Sequence, residues 1–122
     1  MKLNGDVGEI GYDNLFAGAS IPVETKSIRL KSGQGVLLRG TVVGIITASG
    51  LAVKVNSTAT DGSESADCIL TDDVDTTAEV VTTGYVSGLF NRKALIFGGT
   101  DTADKHERTL RTLGILLKDN LE

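Results

Sequence analysis

The fold is decided by residues 36–55, which run VLLRGTVVGIITASGLAVKV. Valine, isoleucine and threonine recur along this stretch, and their branched side chains favour extended strands. Gly40 and Gly44 interrupt the first run, which is typical of a bulge or a sharp bend inside a strand. Residues 47–50, TASG, have the composition of a hairpin turn. The stretch therefore predicts two antiparallel strands joined by a tight turn.

Composition extends this β prediction to the whole chain. The 122 residues suit one domain, and 40% of them are hydrophobic although only 4% are aromatic. Glycine and threonine are abundant, at 15 and 14 residues, and there is a single proline. Because threonine favours strands and glycine favours turns, we expect a mainly β fold with one or two short helices and a thin core. A helical bundle, a coiled coil and a disulfide scaffold are excluded.

Further short strands are predicted on both sides of the hairpin. Apolar and polar residues alternate at 28–30, before a glycine turn at 32–35. Downstream, apolar runs predict strands at residues 66–70, 79–86, 89–90 and 94–97. An acidic loop is predicted at 71–77, and Ser87–Gly88 is predicted to turn the chain.

One helix is predicted near the C-terminus. Ala103, His106, Leu110 and Leu113 follow one another at helical spacing. Asp101 or Thr102 can cap the start of this helix, and the pair of acids at 101 and 104 resembles a capping box. Gly114 suits the left-handed position that ends helices. Residues 115–117, Ile-Leu-Leu, then predict a buried strand or a packed tail.

Residues 1–20 differ from the rest and predict a flexible arm, with the β-rich domain at 21–122. Four glycines interrupt this segment, and no helical or strand period persists in it. Tyr12, Leu15 and Phe16 nevertheless lie close together. Such a cluster is typical of an arm that becomes ordered on a partner. The alternative is that the arm packs back on its own domain.

Charge is unevenly distributed along the chain. The formal net charge is −4, which disfavours a nucleic-acid partner, and no apolar run approaches the ~20 residues of a membrane span. Residues 26–54 carry +5 with no acid, whereas residues 61–79 carry −7 with no base. The two stretches could complement each other within a subunit or between copies. Alternatively, both are solvated faces of strands and loops.

The sequence contains no arrangement typical of an enzyme, so we expect no catalytic residue, no cofactor and no metal. Cys68 is the single cysteine and lies in an apolar run, which indicates a buried structural thiol. His106 is the single histidine and lies on the inner face of the predicted helix. The acids between 67 and 75 lack the spacing of a calcium loop. A biotinyl-type carrier would need a lysine at the hairpin turn, and only Lys54, beyond that turn, could serve.

Short motifs in collinear order give the chain a family resemblance. They are NLxAG at 14–18, SGQG at 32–35, LRGTVxG at 38–44, TASG at 47–50, AxDGS at 59–63, CILxxDVD at 68–75, TGxV at 83–86, GxFN at 88–91 and LRxxGI at 110–115. Together they cover about residues 12–117, and the chain resembles the lambda-type phage head decoration protein D family. It departs from that family in lacking a proline near Tyr12, and residues 1–11 lie outside the resemblance.

The resemblance implies a structural role without chemistry. Members of the family form homotrimers with a β-clip fold, a bent β-ribbon with few helices. They sit on the outside of the expanded head, at local threefold positions, and hold neighbouring major capsid subunits against the pressure of packaged DNA. By this resemblance the protein is made in the host cytoplasm, is located on the exterior of the virion and binds neither nucleic acid nor membrane.

The resemblance also implies which residues bind the capsid. The N-terminal arm of the family is mobile in the free protein and ordered on the head. The capsid-binding residues are therefore expected to be Tyr12, Asp13, Asn14, Leu15, Phe16, Ala17 and Gly18. The alternative function is a β-rich trimeric interaction or adhesion module of a phage particle, which would also lack catalytic residues.

Overall fold

The structure, a computed structural model, describes residues 15–18 and 21–119. This part of the chain is mainly β with one helix, α1, at Ala103–Leu113 and a short 3-10 turn at Arg92–Ala94. The strands are β1 Phe16–Gly18, β2 Glu24–Leu30, β3 Val36–Leu37, β4 Val42–Ile45, β5 Ala52–Lys54, β6 Cys68–Leu70, β7 Val74–Asp75, β8 Val80–Asn91 and β9 Ile115–Lys118. The mainly β prediction is confirmed.

The main sheet closes on itself as a small barrel. Its strand order runs β8–β2–β5–β4–β6, and β6 returns to pair with β8. The β2–β5 contact is parallel, and the other pairings in the circuit are antiparallel. Beyond the circuit, the second half of β8 pairs with β1 and with β9. Closure leaves few unpaired strand edges, so backbone hydrogen bonds are satisfied within a small domain.

The stretch at residues 36–55 forms the predicted hairpin. β4 and β5 pair antiparallel, with Val43 opposite Lys54 and Ile45 opposite Ala52. Gly50 closes the turn with a positive φ of 75° and donates its N–H to the carbonyl of Ile46 at 2.7 Å. Glycine is needed there because other residues rarely adopt that backbone conformation.

Position 44 needs glycine for a different reason, which is close packing of the backbone. A Cβ added at Gly44 would lie 2.2 Å from the carbonyl oxygen of Ser63. The loop after β5 therefore crosses directly over β4, and a side chain at this position would push it away. The pairing of β4 with β5 runs in regular register through Val43, Gly44 and Ile45, so the glycine that predicted a bulge or a sharp bend instead allows a close approach of two backbones.

β8 is one strand of 12 residues, so the predicted turn at Ser87–Gly88 is wrong. Gly88 has a φ of 142°, and a Cβ there would be 2.9 Å from the ring of Phe90. Glycine thus lets the strand continue past a tight contact instead of reversing it. The predicted strand at 94–97 is also wrong, since the backbone there forms the end of the 3-10 turn and an isolated bridge between Thr41 and Ile96.

The acidic segment at 71–77 is not purely a loop. Its residues 74–75 form β7, which pairs with β3 in a separate two-stranded sheet. Leu37 and Val74 lie opposite each other and face the barrel interior. Burial of these two apolar residues explains why a strand forms within a run of acids.

The helix agrees with the sequence prediction except at its start. Ala103, His106 and Leu110 are its buried residues, and Gly114 ends it in the left-handed conformation. Thr102 is the N-cap, but its side chain makes no capping hydrogen bond. Asp101 does not cap either, because its carboxylate bonds to Ser57 and His106. The predicted strand after the helix is confirmed as β9, parallel to β8.

Two apolar clusters form the core. One fills the barrel and consists of Ile28, Leu30, Leu37, Val43, Ala52, Cys68 and Leu70. The other lies between the barrel, α1 and β9, and consists of Leu15, Val42, Val55, Ala66, Ile69, Phe90, Leu95, Leu110 and Ile115. Phe90 is the one aromatic side chain within these buried sets. Within the residues that the structure describes, no helix is long and apolar enough to cross a membrane.

Candidate functional site

Of the predicted partner-binding residues, the structure describes those from Leu15 onward. Tyr12, Asp13 and Asn14 lie outside the described residues, whereas residues 15–18 lie against the domain. Leu15 is only 2% exposed and belongs to the core. Its carbonyl oxygen accepts a hydrogen bond of 2.7 Å from the backbone N–H of Asn91 at the end of β8. The base of the arm is therefore fixed by burial and by the sheet.

Phe16 extends this attachment through an aromatic cluster. Its ring stacks on Phe90 with 4.9 Å between centroids, and it meets Tyr85 edge-on at 5.1 Å. Tyr85 and Phe90 are themselves 5.6 Å apart. Offset and edge-to-face geometries of this kind are the favourable ones for aromatic rings. Three of the five aromatic residues of the chain thus meet where the arm joins the domain.

Arg39 holds the outer side of this cluster. Its guanidinium carbon lies 5.8 Å from the ring centre of Phe16 and 5.6 Å from that of Tyr85. One terminal nitrogen donates to the Tyr85 hydroxyl at 2.7 Å and to the carbonyl of Thr71 at 2.9 Å. A planar guanidinium suits this combination of ring contact and directed hydrogen bonds, which a lysine could not reproduce. Arg39 therefore links the arm to the acidic segment.

The arm base is an edge strand. Within residues 15–18 and 21–119, β1 pairs with β8 alone, antiparallel, with Phe16 opposite Phe90. Its other side carries backbone groups that a further extended segment could bind. Gly18 lies close to the domain, since a Cβ there would be 3.1 Å from Leu89. This geometry can support strand addition by a partner without any chemical step.

The two charged stretches complement each other within one subunit. Lys26 pairs with Asp67 at 2.7 Å, and Arg29 pairs with Glu79 at 3.1 Å. The Lys26 ammonium is hydrogen-bonded to Asp67, which raises the pKa of Lys26 despite partial burial. Arg29 and Glu79 are about half exposed, and exposed pairs of this kind contribute only about 0.2–1 kcal/mol.

Exposed Ser57 and the buried side chains of Asp101 and His106 form a polar cluster, but in an order that does not suit nucleophilic catalysis. The Asp101 carboxylate accepts from the Ser57 hydroxyl and from its N–H, each at 2.7 Å, and lies 2.7 Å from His106 Nε2. A catalytic triad needs the histidine between serine and carboxylate. Burial alone would raise the pKa of Asp101, yet hydrogen bonds from His106 and Ser57 hold it below the ordinary value.

Cys68 has the environment predicted for a structural thiol. It is fully buried in the barrel, and burial raises its pKa to about 12. The acids between 67 and 75 have protein partners: Asp73 accepts from the N–H of Arg39, and Asp75 accepts from Thr77. Among the described residues, no group of three or more potential ligands is placed to hold a metal ion.

Sequence reasoning missed the contribution of Arg39 and Tyr85. In the sequence, Arg39 is one basic residue among several and Tyr85 is one of the domain aromatics. Their contacts with Phe16 join positions far apart in the chain, so residue type alone did not reveal them. No local pattern encodes such a contact. The burial of Leu15 had one signal, which was its place in the apolar cluster at 12–16.

Comparison with known proteins adds one finding. A family model described as bacteriophage lambda head decoration protein D matches residues 8–116 of the 122-residue chain. The match covers β1 to β8, α1 and the start of β9. No curated protein matches the chain.

Proposed function

The chain belongs to the bacteriophage lambda head decoration protein D family, and on this premise we propose that it decorates an expanded phage head as a homotrimer. Each trimer lies over a local threefold position on the outside of the capsid. There it connects neighbouring major capsid subunits and stabilises the shell against the pressure of packaged DNA. The protein is made in the host cytoplasm and acts on the exterior of the virion. The observation that carries this proposal is the family match across nearly the whole chain.

The role is structural and not enzymatic. A head decoration family supports a capsid role, and such proteins act by binding. The geometry agrees with binding by strand addition, because among the described residues β1 is paired on one side only, with β8. No step in the proposed function requires a cofactor or a metal.

We propose that the arm, residues 12–18, provides the capsid contact. Leu15 and Phe16 fasten the base of the arm to the domain. Ordering of the arm residues before Leu15 on the head costs conformational entropy, which weakens each contact. Three arms in one trimer offset this loss, since the second and third bind at high effective concentration.

The trimer and the β-clip form belong to the same proposal. A protomer with few buried aromatic residues gains stability when partner subunits cover part of its surface. Five side chains with large apolar groups remain about half exposed: Val23, Val36, Leu38, Val81 and Leu113. Some of these would be covered by neighbouring copies or by the capsid.

The test is co-sedimentation with phage heads. Purified protein is mixed separately with expanded heads, with unexpanded heads and with host cells, and bound protein is measured in the pellet. We expect binding to expanded heads only, in multiples of three copies for each local threefold position. Binding to host cells in place of heads would instead support an adhesion module, and binding to neither would contradict decoration.

A further inference from the structure

Exposed apolar side chains lie on and beside the two-stranded sheet formed by β3 and β7. Val36 and Leu38 are 59% and 49% exposed. In the β3–β7 pair, Leu37 and Val74 face the barrel, so their neighbours Val36 and Asp75 face outward together.

Acidic residues lie next to these side chains. Asp73 accepts from the N–H of Arg39, the residue after Leu38, and Asp75 is paired with Val36. In the part of the chain that the structure covers, neither Asp72 nor Asp75 has a salt-bridge partner. We call this surface the acidic face; it comprises Val36, Leu38, Asp72, Asp73 and Asp75.

The exposed side of α1 carries the opposite charge. Lys105, Arg108 and Arg111 recur every three residues and therefore share one side of the helix. All three are exposed, and over residues 15–18 and 21–119 none has a salt-bridge partner within 4 Å. We call Lys105, Arg108 and Arg111 the basic face.

The two faces lie on different elements of the fold. The acidic face is on β3, β7 and the loops beside them, whereas the basic face is on α1, which packs on β9. Among the described residues, no salt bridge joins a residue of one face to a residue of the other.

We propose that the acidic face of one copy binds the basic face of the next copy. A ring of three identical subunits needs two different, complementary surfaces on every subunit. These faces carry opposite charge, the acidic face adds the exposed apolar side chains of Val36 and Leu38, and among the described residues no salt bridge engages either face. The occupant of each face is thus a second copy of this chain. This inference rests on the proposed homotrimer and names the surfaces that build it.

The test reverses the charge of each face in the full-length protein. Lys105→Glu/Arg108→Glu reverses the basic face, and Asp72→Lys/Asp75→Lys reverses the acidic face. We expect each variant to need a roughly tenfold or greater protein concentration for trimer formation, measured by sedimentation velocity. Lys93→Glu/Lys118→Glu is the control for the basic-face variant, since it makes the same charge change at two exposed sites outside both faces. Asp75→Asn is a further control that retains an acceptor for Thr77.

Combining the two reversals separates an interface from general charge effects. One chain carrying both reversals has complementary faces again and is expected to regain the trimer. An equimolar mixture of the two single-face variants is not expected to form the trimer, because a ring of three must contain at least one contact between like charges. Circular dichroism and thermal unfolding of every variant check that the protomer remains folded.

The outcomes distinguish this inference from the proposed function. If both single-face variants form trimers at the wild-type concentration, or if the combined variant stays dissociated, the assigned interface is overturned. Wild-type protein is sedimented with expanded heads in parallel. If the wild-type protein binds heads in multiples of three and the single-face variants still form trimers, the assigned interface is overturned and the proposed decoration function stands. Absence of wild-type binding contradicts decoration whatever the variants do, and a wild type that never trimerises overturns the interface.

Discussion

The backbone N–H of Asn91 donates to the carbonyl oxygen of Leu15 at 2.7 Å, and this bond joins the end of β8 to the base of the N-terminal arm. Leu15 itself is 2% exposed, within the cluster that includes Phe90 and Leu110. The base of the arm, at Leu15, therefore lies in the hydrophobic core. Residues proposed to bind the capsid and residues that stabilise the domain meet at one position, and experiments on the arm must separate the two.

Deletion of residues 1–14 separates the effect on capsid binding from the effect on domain stability. It leaves Leu15 and β1 in place, so we expect the free energy of unfolding to change by less than about 1 kcal/mol. Occupancy of expanded heads should be lost, because the proposed contacts of Tyr12, Asp13 and Asn14 are gone. Denaturant unfolding and co-sedimentation measure the two effects. Full occupancy by the shortened protein would remove the arm from the docking proposal.

Point substitutions at the arm base should act mainly on stability. Leu15→Ala removes a buried side chain and should cost about 3 kcal/mol of folding free energy. Phe16 is partly exposed, so Phe16→Ala should cost less, while also weakening the attachment of β1. Tyr12→Ala is the comparison on the other side of Leu15, with reduced head occupancy expected at unchanged stability. Equal stability of Leu15→Ala and wild type would contradict the burial of this residue.

Arg39 should matter more than an ordinary surface arginine. Arg39→Ala removes hydrogen bonds to Tyr85 and Thr71 and the contact with Phe16, for an expected cost of about 2 kcal/mol. Arg29→Ala is the matched control, since Arg29 pairs only at the surface with Glu79 and should cost under about 1 kcal/mol. Urea unfolding of both variants gives the comparison. Similar losses in the two variants would show that the ring contacts of Arg39 contribute little.

Local patterns predicted most elements of this fold. The run of β-branched residues with a TASG turn gave the β4–β5 hairpin, and helical spacing with Gly114 gave α1 and its end. These predictions succeed because the physical cause lies within a few neighbouring residues. The mistaken turn at Gly88 had an equally local signal, but its glycine serves packing against Phe90. A sequence does not distinguish a glycine required by a turn from one required by a close contact.

The site was harder to predict than the fold. Leu15 and Phe16 were identified as part of the arm, but their contacts with Asn91, Phe90 and Tyr85 span more than 65 residues of chain. The sequence left open whether the two charged stretches complement each other or are solvated faces, and the pairs Lys26–Asp67 and Arg29–Glu79 show part of the complementarity within one subunit. Which charges pair depends on the register of β2 on β8, which composition does not set.

Asp101 should give the stability a dependence on acid pH. Hydrogen bonds from His106 and Ser57 hold the pKa of Asp101 below its ordinary value of 3.8. A carboxyl group with a depressed pKa stabilises the fold above its unfolded pKa, and this contribution is lost as the pH falls through the folded pKa. Asp101→Asn should therefore cost about 2 kcal/mol at pH 7 and less below about pH 4. Glu24→Gln, at an exposed carboxylate in β2, is the control. An equal cost for Asp101→Asn at pH 7 and pH 3 would contradict the assignment.

Cys68 should react only when the barrel opens. Burial raises the pKa of this thiol to about 12, so almost no thiolate is present at pH 8. We expect labelling by an aromatic disulfide reagent to be slow in native buffer and to become complete within minutes in denaturant. The labelling rate should follow the population of unfolded protein as denaturant is added. Rapid labelling of the native protein would contradict the buried position in the barrel.

A density map of expanded heads incubated with the protein tests decoration most directly. The account predicts three copies around each local threefold position on the outer surface, with the chain before Leu15 continuing from β1 into contact with major capsid subunits. It also predicts that undecorated regions coincide with unexpanded lattice. Outer surfaces without added density at these positions, at saturating protein, would contradict the central claim.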